Sequence, residues 1–192
     1  MRPLSDTATA ELVRRARRGD AAAFGELARA YLRAAYAVAL AVVGRPADAE
    51  DVAQEAMVVA LEKIESCREP ARFGGWLVTI ARTRALNLLK ARRLRDVPAS
   101  DRVVDRADPP PSPERGQERD RLLAGLATLP ETQRAVVLLH DLEGWTHAEI
   151  ADALGTSEGM SRQHLFQARR ALRAELHEHA PGDTPDEVDH GG

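Results

Sequence analysis

The segment from Thr146 to Arg173 constrains the fold of this chain more than any other, because it reads as two helices joined by a tight turn. Thr146 and Glu149 fit a capping box at the start of the first helix. Gly155 stands where a left-handed stop ends a helix, and Ser157 can cap the helix that follows. The segment therefore predicts a helical pair with well-defined ends.

The second helix of this pair combines an apolar face with a basic one. Leu165, Ala168 and Leu172 recur at spacings of three and four, which indicates the buried face. Arg and Gln on the other faces suit phosphates and base edges in a major groove. The layout is typical of helix-turn-helix DNA-binding proteins, and an ordinary helical hairpin with a solvated basic face is the alternative. The residues expected to contact duplex DNA are Ser157, Arg162, Gln163, Phe166, Arg169 and Arg170.

Composition favours helices throughout the 192 residues, since aromatic residues make up only 4% of the chain and Ala and Leu are abundant. The formal net charge of -3 does not indicate nucleic-acid binding. Its distribution does, because residues 82–95 hold six basic side chains and no acid, whereas six acids and no Lys or Arg follow Arg173. A phosphate backbone responds to such local patches rather than to the net charge.

Several classes of protein are disfavoured by what the sequence lacks. The single cysteine, Cys67, excludes an internal disulfide and a Cys-rich zinc site. No apolar run has transmembrane length, and the N-terminus lacks an apolar signal core, so we expect a cytoplasmic protein. The six histidines are scattered, and no catalytic arrangement or phosphate loop is visible. We expect no cofactor, no metal and no enzymatic activity.

The predicted organisation is all-α, with two small helical domains. Four helices are expected in the first domain, residues 6–95, at about Asp6–Arg18, Asp20–Val43, Ala47–Ser66 and Trp76–Arg95. Residues 96–111 contain four aspartates and a run of three prolines, which predicts a flexible acidic linker. The second domain, residues 112–179, has helices from Ser112 to Ala127 and from Pro130 to Glu143 before the helix-turn-helix. Residues 180–192 are expected to be a disordered tail.

Four blocks of sequence occur in an order and spacing that resemble a known family. They are DAEDVAQEA at 48–56, FGGWLVTIARTRALNLLKARR at 73–93, the acidic Pro-rich linker, and LPETQRAVVLLHDLEGWTHAEIADALGTSEGMSRQ from residue 129. Together they resemble the bacterial sigma factors of the extracytoplasmic-function (ECF) group, the two-domain members of the sigma-70 family. The resemblance covers about residues 10–178.

The resemblance implies a protein that binds core RNA polymerase and directs it to promoters, while polymerase performs the chemistry. The C-terminal helix-turn-helix would recognise the minus-thirty-five element as duplex. The N-terminal domain would recognise the minus-ten element as melted strand. An anti-sigma factor is a further partner that the resemblance allows. Acids of the linker, Asp101, Asp105 and Asp108, would thread toward the polymerase active-site cleft, although a passive spacer has the same composition.

Two helices of the N-terminal domain carry the implied contacts. On the third, Asp51, Gln54 and Glu55 lie on overlapping turns and can form one polar face. The resemblance implies that this face, with Asp48, docks on the clamp helices of the polymerase β′ subunit; a solvated helix face is the alternative. Minus-ten contacts are expected from Arg68, Arg72, Arg82, Thr83, Asn87 and Lys90, where a basic solvated face is the alternative. We expect Trp76 in the core rather than as a stacking platform.

The recognition helix departs from the family pattern. It reads SEGMSRQHLFQAR where the family commonly reads SEGTVKSRLHRAR. Ser161 takes the place of a Val, which weakens an expected apolar contact. The helical fold tolerates this change because Leu165, Ala168 and Leu172 remain, but the bases that are read stay open.

Two other functions account for part of the chain. A stand-alone helix-turn-helix regulator explains the C-terminal half and leaves the DAEDVAQEA helix unexplained. A degenerate sigma factor that acts as a protein-binding adaptor would bind polymerase without supporting initiation.

Overall fold

The computed structural model describes residues 4–95 and 113–178, and the regular elements in these ranges are all helical. The N-terminal domain consists of α1 (Asp6–Arg17), α2 (Ala21–Val43), α3 (Pro46–Glu62) and α4 (Phe73–Arg95). The C-terminal domain consists of α5 (Pro113–Thr128), α6 (Glu131–Val137), α7 (His147–Leu154) and α8 (Glu158–Glu178). The all-α prediction is confirmed. The predicted linker and tail lie outside the described residues.

The core of the N-terminal domain is built from α2, α3 and α4, which pack against one another. Their buried faces are rich in alanine: Ala34, Ala35, Ala37, Ala39 and Ala41 on α2, and Ala49, Ala53, Ala56 and Ala60 on α3. Small side chains allow helix axes to approach toward the lower end of the usual interaxial distance of about 8–10 Å. The domain therefore owes its shape to close backbone packing around a few large side chains, chiefly Leu27, Phe73 and Leu77.

The start of α4 differs from the sequence prediction. The predicted third and fourth helices leave residues 67–75 as a connection, but two short 3₁₀ turns, Ile64–Ser66 and Pro70–Arg72, lead into a helix that begins at Phe73. Phe73 is fully buried, with its ring centroid 5.6 Å from that of Tyr31. At Gly74 a Cβ would lie 2.8 Å from the Tyr31 ring and 3.2 Å from that of Trp145. Helix continues through the glycines because packing outweighs their low propensity.

The helix predicted from Pro130 to Glu143 is interrupted. It is regular over Glu131–Val137, and its last stretch, Leu138–Leu142, is a π-turn. The wider turn leaves Glu143 and Trp145 buried at the boundary between the domains. Such turns are rare and occur frequently at functional sites.

The helix-turn-helix has the ends that the sequence predicts. Thr146 and Glu149 form a complete capping box on α7, and Gly155 ends that helix with φ 66°, a conformation that favours glycine. The hydroxyl of Ser157 accepts from the backbone N–H of Met160 at 3.1 Å and caps α8. The angle between the two helices is thus held by local hydrogen bonds at both ends of the turn.

The two domains share an interface. Helix α2 packs against α6 and the π-turn, and α4 packs against α7. Arg33 of α2 donates to the buried carboxylate of Glu143 at 3.0 Å. Whether each domain also folds alone stays a prediction. Within the described ranges, no helix combines the length and the apolar character needed to cross a membrane.

Candidate nucleic-acid interface

The outward face of α8 presents most of the side chains predicted for duplex DNA. Arg162, Gln163, Phe166 and Arg170 are all exposed, and Phe166 retains 64% of its surface. An exposed phenyl ring beside arginine and glutamine supplies both apolar contact for thymine methyl groups and donors for base edges. Arg162 also donates to Glu158 at 2.8 Å, one turn earlier on the same helix. Ser157 is occupied as the cap.

The inward face of α8 holds Leu165 and Ala168, as predicted, together with a polar side chain. Ser161 has no exposed surface, and its hydroxyl is hydrogen-bonded to Nδ1 of His147 at 2.9 Å. The expected weakening of an apolar contact is therefore compensated by a directional bond between α7 and α8. The pKa of His147 lies below its ordinary value because of burial and the neighbouring His140.

Arg169 was expected to contact DNA, but here it is bonded to a carboxylate. Its guanidinium donates to both oxygens of Asp141 in the π-turn, at 3.0 and 2.5 Å. Burial raises the pKa of Asp141, but hydrogen bonds from Arg169 and His140 outweigh burial and hold that pKa below its ordinary value. Asp141 therefore remains charged at neutral pH and competes with phosphate for Arg169.

Of the residues predicted for the melted strand, Arg68 lies between the two 3₁₀ turns, Arg72 ends the second turn and the other four lie on α4; all six are exposed. Two of them contact the C-terminal domain: Arg72 lies 3.2 Å from Asp152, and Arg82 lies 2.8 Å from Glu131. Thr83 donates its hydroxyl proton to a backbone carbonyl one turn earlier, at 2.8 Å. Arg68, Asn87 and Lys90 complete the surface.

A cavity of about 290 Å³ opens beside these turns. It is lined by Arg68, Arg72, Trp76 and Thr79 of the N-terminal domain and by Asp152 of the C-terminal domain. Trp76 is half-buried and packs against Phe73 at 5.7 Å between ring centroids, so it is neither wholly in the core nor a free platform. The volume of the cavity is near the lower end of the range for small-molecule sites, about 300 Å³.

The polar face of α3 divides into two parts. Asp51, Gln54 and Glu55 are exposed, as expected for a docking surface. Asp48 retains only 14% of its side-chain surface, because both its carboxylate oxygens accept from Arg92 of α4, at 2.5 and 2.6 Å. The hydrogen bond from Arg92 lowers the pKa of Asp48. Asp48 thus joins α3 to α4.

Several features of these surfaces were not predicted from the sequence. Val58 and Leu61 extend the exposed side of α3, and their spacing of four and seven residues from Gln54 was the available indication. His140 and His147 were treated as scattered, yet their rings stack with centroids 4.8 Å apart. No group of three or more potential ligands is placed to hold a metal within residues 4–95 and 113–178.

Comparisons with known proteins agree with this arrangement. Residues 27–95 match the family model of sigma-70 region 2, and residues 119–172 match that of sigma-70, region 4. The ECF RNA polymerase sigma factor SigL of Mycobacterium tuberculosis is 37% identical over 167 residues, which cover 83% of this chain and 94% of that protein.

A second relative is longer than this chain. The probable RNA polymerase sigma factor RfaY of Xanthomonas campestris is 34% identical over 80% of this chain, and the chain spans 40% of RfaY. Among solved structures, CnrH in complex with the cytosolic domain of CnrY is similar, with a TM-score of 0.67 and 25% identity. That likeness covers 90% of this chain and 99% of CnrH.

Proposed function

Since the chain belongs to the ECF group of the sigma-70 family, we propose an assignment of its surfaces to the tasks of a sigma factor. The protein binds core RNA polymerase and directs promoter-specific initiation. Family members are DNA-binding regulators, and we propose that this chain likewise catalyses no reaction itself. Its partners, polymerase and the chromosome, favour a cytoplasmic location.

We assign minus-thirty-five recognition to α8. The observation that supports this assignment is the exposure of Arg162, Gln163 and Phe166 near the N-terminus of a helix whose opposite face is buried. In helix-turn-helix proteins the N-terminal part of the second helix enters the major groove. Arg170, further along, suits the phosphate backbone. Such a division separates base reading from non-specific affinity along one helix.

Polymerase docking is assigned to the exposed face of α3, formed by Asp51, Gln54 and Glu55. Val58 and Leu61 add apolar surface to this face. An apolar patch bordered by acids fits a basic partner such as the β′ clamp helices, where charge sets orientation and burial supplies affinity. Asp48 supports the surface through Arg92 rather than by contact with polymerase.

Melted-strand capture is assigned to α4 and to the segment that precedes it, residues 64–72, through Arg68, Arg72, Arg82, Thr83, Asn87 and Lys90. Because Arg72 and Arg82 are paired with acids of the C-terminal domain, strand capture requires these pairs to break. Exposed ion pairs contribute only about 0.2–1 kcal/mol each, so phosphates of the melted strand can replace the paired carboxylates. An anti-sigma factor is proposed as a partner that would favour the paired arrangement.

Transcription by reconstituted holoenzyme tests this function. Core polymerase with this chain should initiate at discrete sites on a library of genomic fragments, and core alone should not. The chain alone should fail to shift duplex fragments that carry those sites. Specific binding without core would identify a stand-alone regulator, and core binding without initiation would identify an adaptor.

A further inference from the structure

A continuous series of side-chain contacts runs from α8 through α7 and the π-turn and back to α8. It starts at the buried hydroxyl of Ser161, bonded to His147 at 2.9 Å. The ring of His147 stacks on that of His140, whose Nδ1 lies 2.8 Å from a carboxylate oxygen of Asp141. Asp141 accepts from Arg169, which returns the circuit to α8. We call these five residues the α8 circuit.

The circuit holds α8 at two separated points. Ser161 and Arg169 are eight residues apart, which is about 12 Å along a helix axis. One attachment leaves a helix free to pivot, whereas two restrain both its rotation and its translation. Arg162 and Gln163, which we assign to base reading, lie directly beside the first attachment.

We propose, on the basis of the assigned role of α8, that Ser161, His147 and Asp141 are positioning residues for minus-thirty-five recognition. Arg169 belongs to this framework and is not a phosphate contact. The circuit thereby determines which bases Arg162 and Gln163 reach.

The chemistry of the contacts supports a positioning role. Apolar burial is non-directional, so a helix held only by leucines tolerates small shifts. A buried hydrogen bond is directional, and leaving one of its partners unsatisfied costs free energy. Ser161 places a hydroxyl at a fully buried position of α8, so the orientation of this helix depends on a bond that can be removed or titrated.

Protonation of His147 acts against the circuit. The charged and titratable groups that act on His147 are His140 from the π-turn and Glu158, Arg162 and Arg169 from α8. Burial lowers the pKa of His147, and the positive charges around it lower that pKa further. As pH falls below about 6.5, His147 therefore becomes protonated in the unfolded chain before it does so in the folded chain. The stabilisation by neutral His147 is lost as pH falls from about 6.5 to the lower pKa of the folded state.

Asp141→Asn and Arg169→Ala distinguish positioning from phosphate binding. In holoenzyme, each variant should reduce the discrimination between the preferred minus-thirty-five element and its single-base variants by about tenfold. The double variant should be no worse than either single one, because both break the same link. If Arg169 instead binds phosphate, Asp141→Asn frees it and strengthens binding to all sequences, which overturns the proposal.

Substitutions of His147 test the other end of the circuit. His147→Asn can keep an oxygen near the position of Nδ1, so it should retain discrimination and lose the dependence on pH that the parent shows from about 6.5 downward. His147→Leu should lower discrimination at every pH. Parental discrimination in His147→Leu, or an unchanged pH profile in His147→Asn, overturns the positioning role.

Two controls keep this proposal separate from the assignment of α8 itself. Arg170→Ala, next to the circuit but outside it, should weaken binding to all sequences alike and reduce its dependence on salt. Arg162→Ala should relax base preference. If both fail, α8 does not read DNA. If both succeed while the circuit variants behave as the parent, only the positioning role is wrong.

Discussion

The helix pairs α3–α4 and α7–α8 both present a functional surface, but they are held together differently. Helices α3 and α4 pack through buried alanines, with an ion pair from Asp48 to Arg92 near one end. Helix α8 is joined to α7 and to the π-turn by the α8 circuit in addition to its apolar contacts. The polymerase face therefore rests mainly on packing, with one ion pair that is lost only in acid, whereas the DNA-reading face also depends on a hydrogen bond to His147, whose ordinary pKa is nearer neutrality.

The largest expected effect contrasts two phenylalanines. Phe73→Ala empties a fully buried site in the N-terminal domain and should lower the free energy of unfolding by about 3–5 kcal/mol. Phe166→Ala, the same change at an exposed site on α8, should alter stability by less than about 0.5 kcal/mol and change promoter preference. Urea unfolding measures the stability of both variants. Equal losses would contradict the contrast between packing and reading surfaces.

Charge reversal on α3 should have the next largest effect. Asp51→Lys combined with Glu55→Lys should weaken binding to core polymerase by about 2 kcal/mol, since charges that match a basic partner become repulsive. Fluorescence anisotropy with core enzyme measures the affinity. Glu118→Lys combined with Asp120→Lys makes the same charge change on exposed α5 and is the matched control. Equal affinity of all three proteins would remove the docking assignment.

The ion pair at Asp48 separates support from contact. The pKa of Asp48 is lowered in the folded state by the hydrogen bond from Arg92, so its stabilisation is present above about pH 4 and is lost as pH falls through the lowered pKa. Asp48→Asn should cost about 1 kcal/mol at neutral pH and remove that part of the acid dependence. Urea unfolding at several pH values checks this. A large loss of polymerase affinity with unchanged stability would make Asp48 a contact residue.

The smallest expected effect concerns the pair between the domains. Asp152→Asn releases Arg72 and should change stability by less than about 1 kcal/mol, because both side chains are half-exposed. It should raise the affinity of holoenzyme for single-stranded minus-ten DNA by a few-fold. Asp120→Asn on α5 is the control for a lost surface charge. No gain, or the same gain in the control, would show that the pair does not restrain strand capture.

The sequence predicted helix ends well where a local side chain determines them. The capping box at Thr146 and Glu149, the Ser157 cap and the Gly155 stop all depend on residues close in sequence, and all are observed. The early start of α4 was missed because it depends on Tyr31 and Trp145, which are distant in sequence.

For the candidate site too, local features were predicted and contacts between distant residues were not. Exposure of the residues predicted on α4 and α8 follows from helical periodicity. Their partners do not: the pairing of Arg169 with Asp141 and of Arg82 with Glu131 depends on how helices pack. The stacking of His140 on His147 likewise depends on the π-turn, which no local sequence pattern predicts.

If α8 and α4 read different promoter elements, a substitution in one helix should change base preference at one element alone. Holoenzyme is assayed by transcription on a promoter library randomised at both elements, with the parent chain, Gln163→Ala and Asn87→Ala. We expect Gln163→Ala to change base preference only at the minus-thirty-five element and Asn87→Ala to change it only at the minus-ten element. Unchanged preferences in Gln163→Ala, or changes at both elements in either variant, would contradict this assignment.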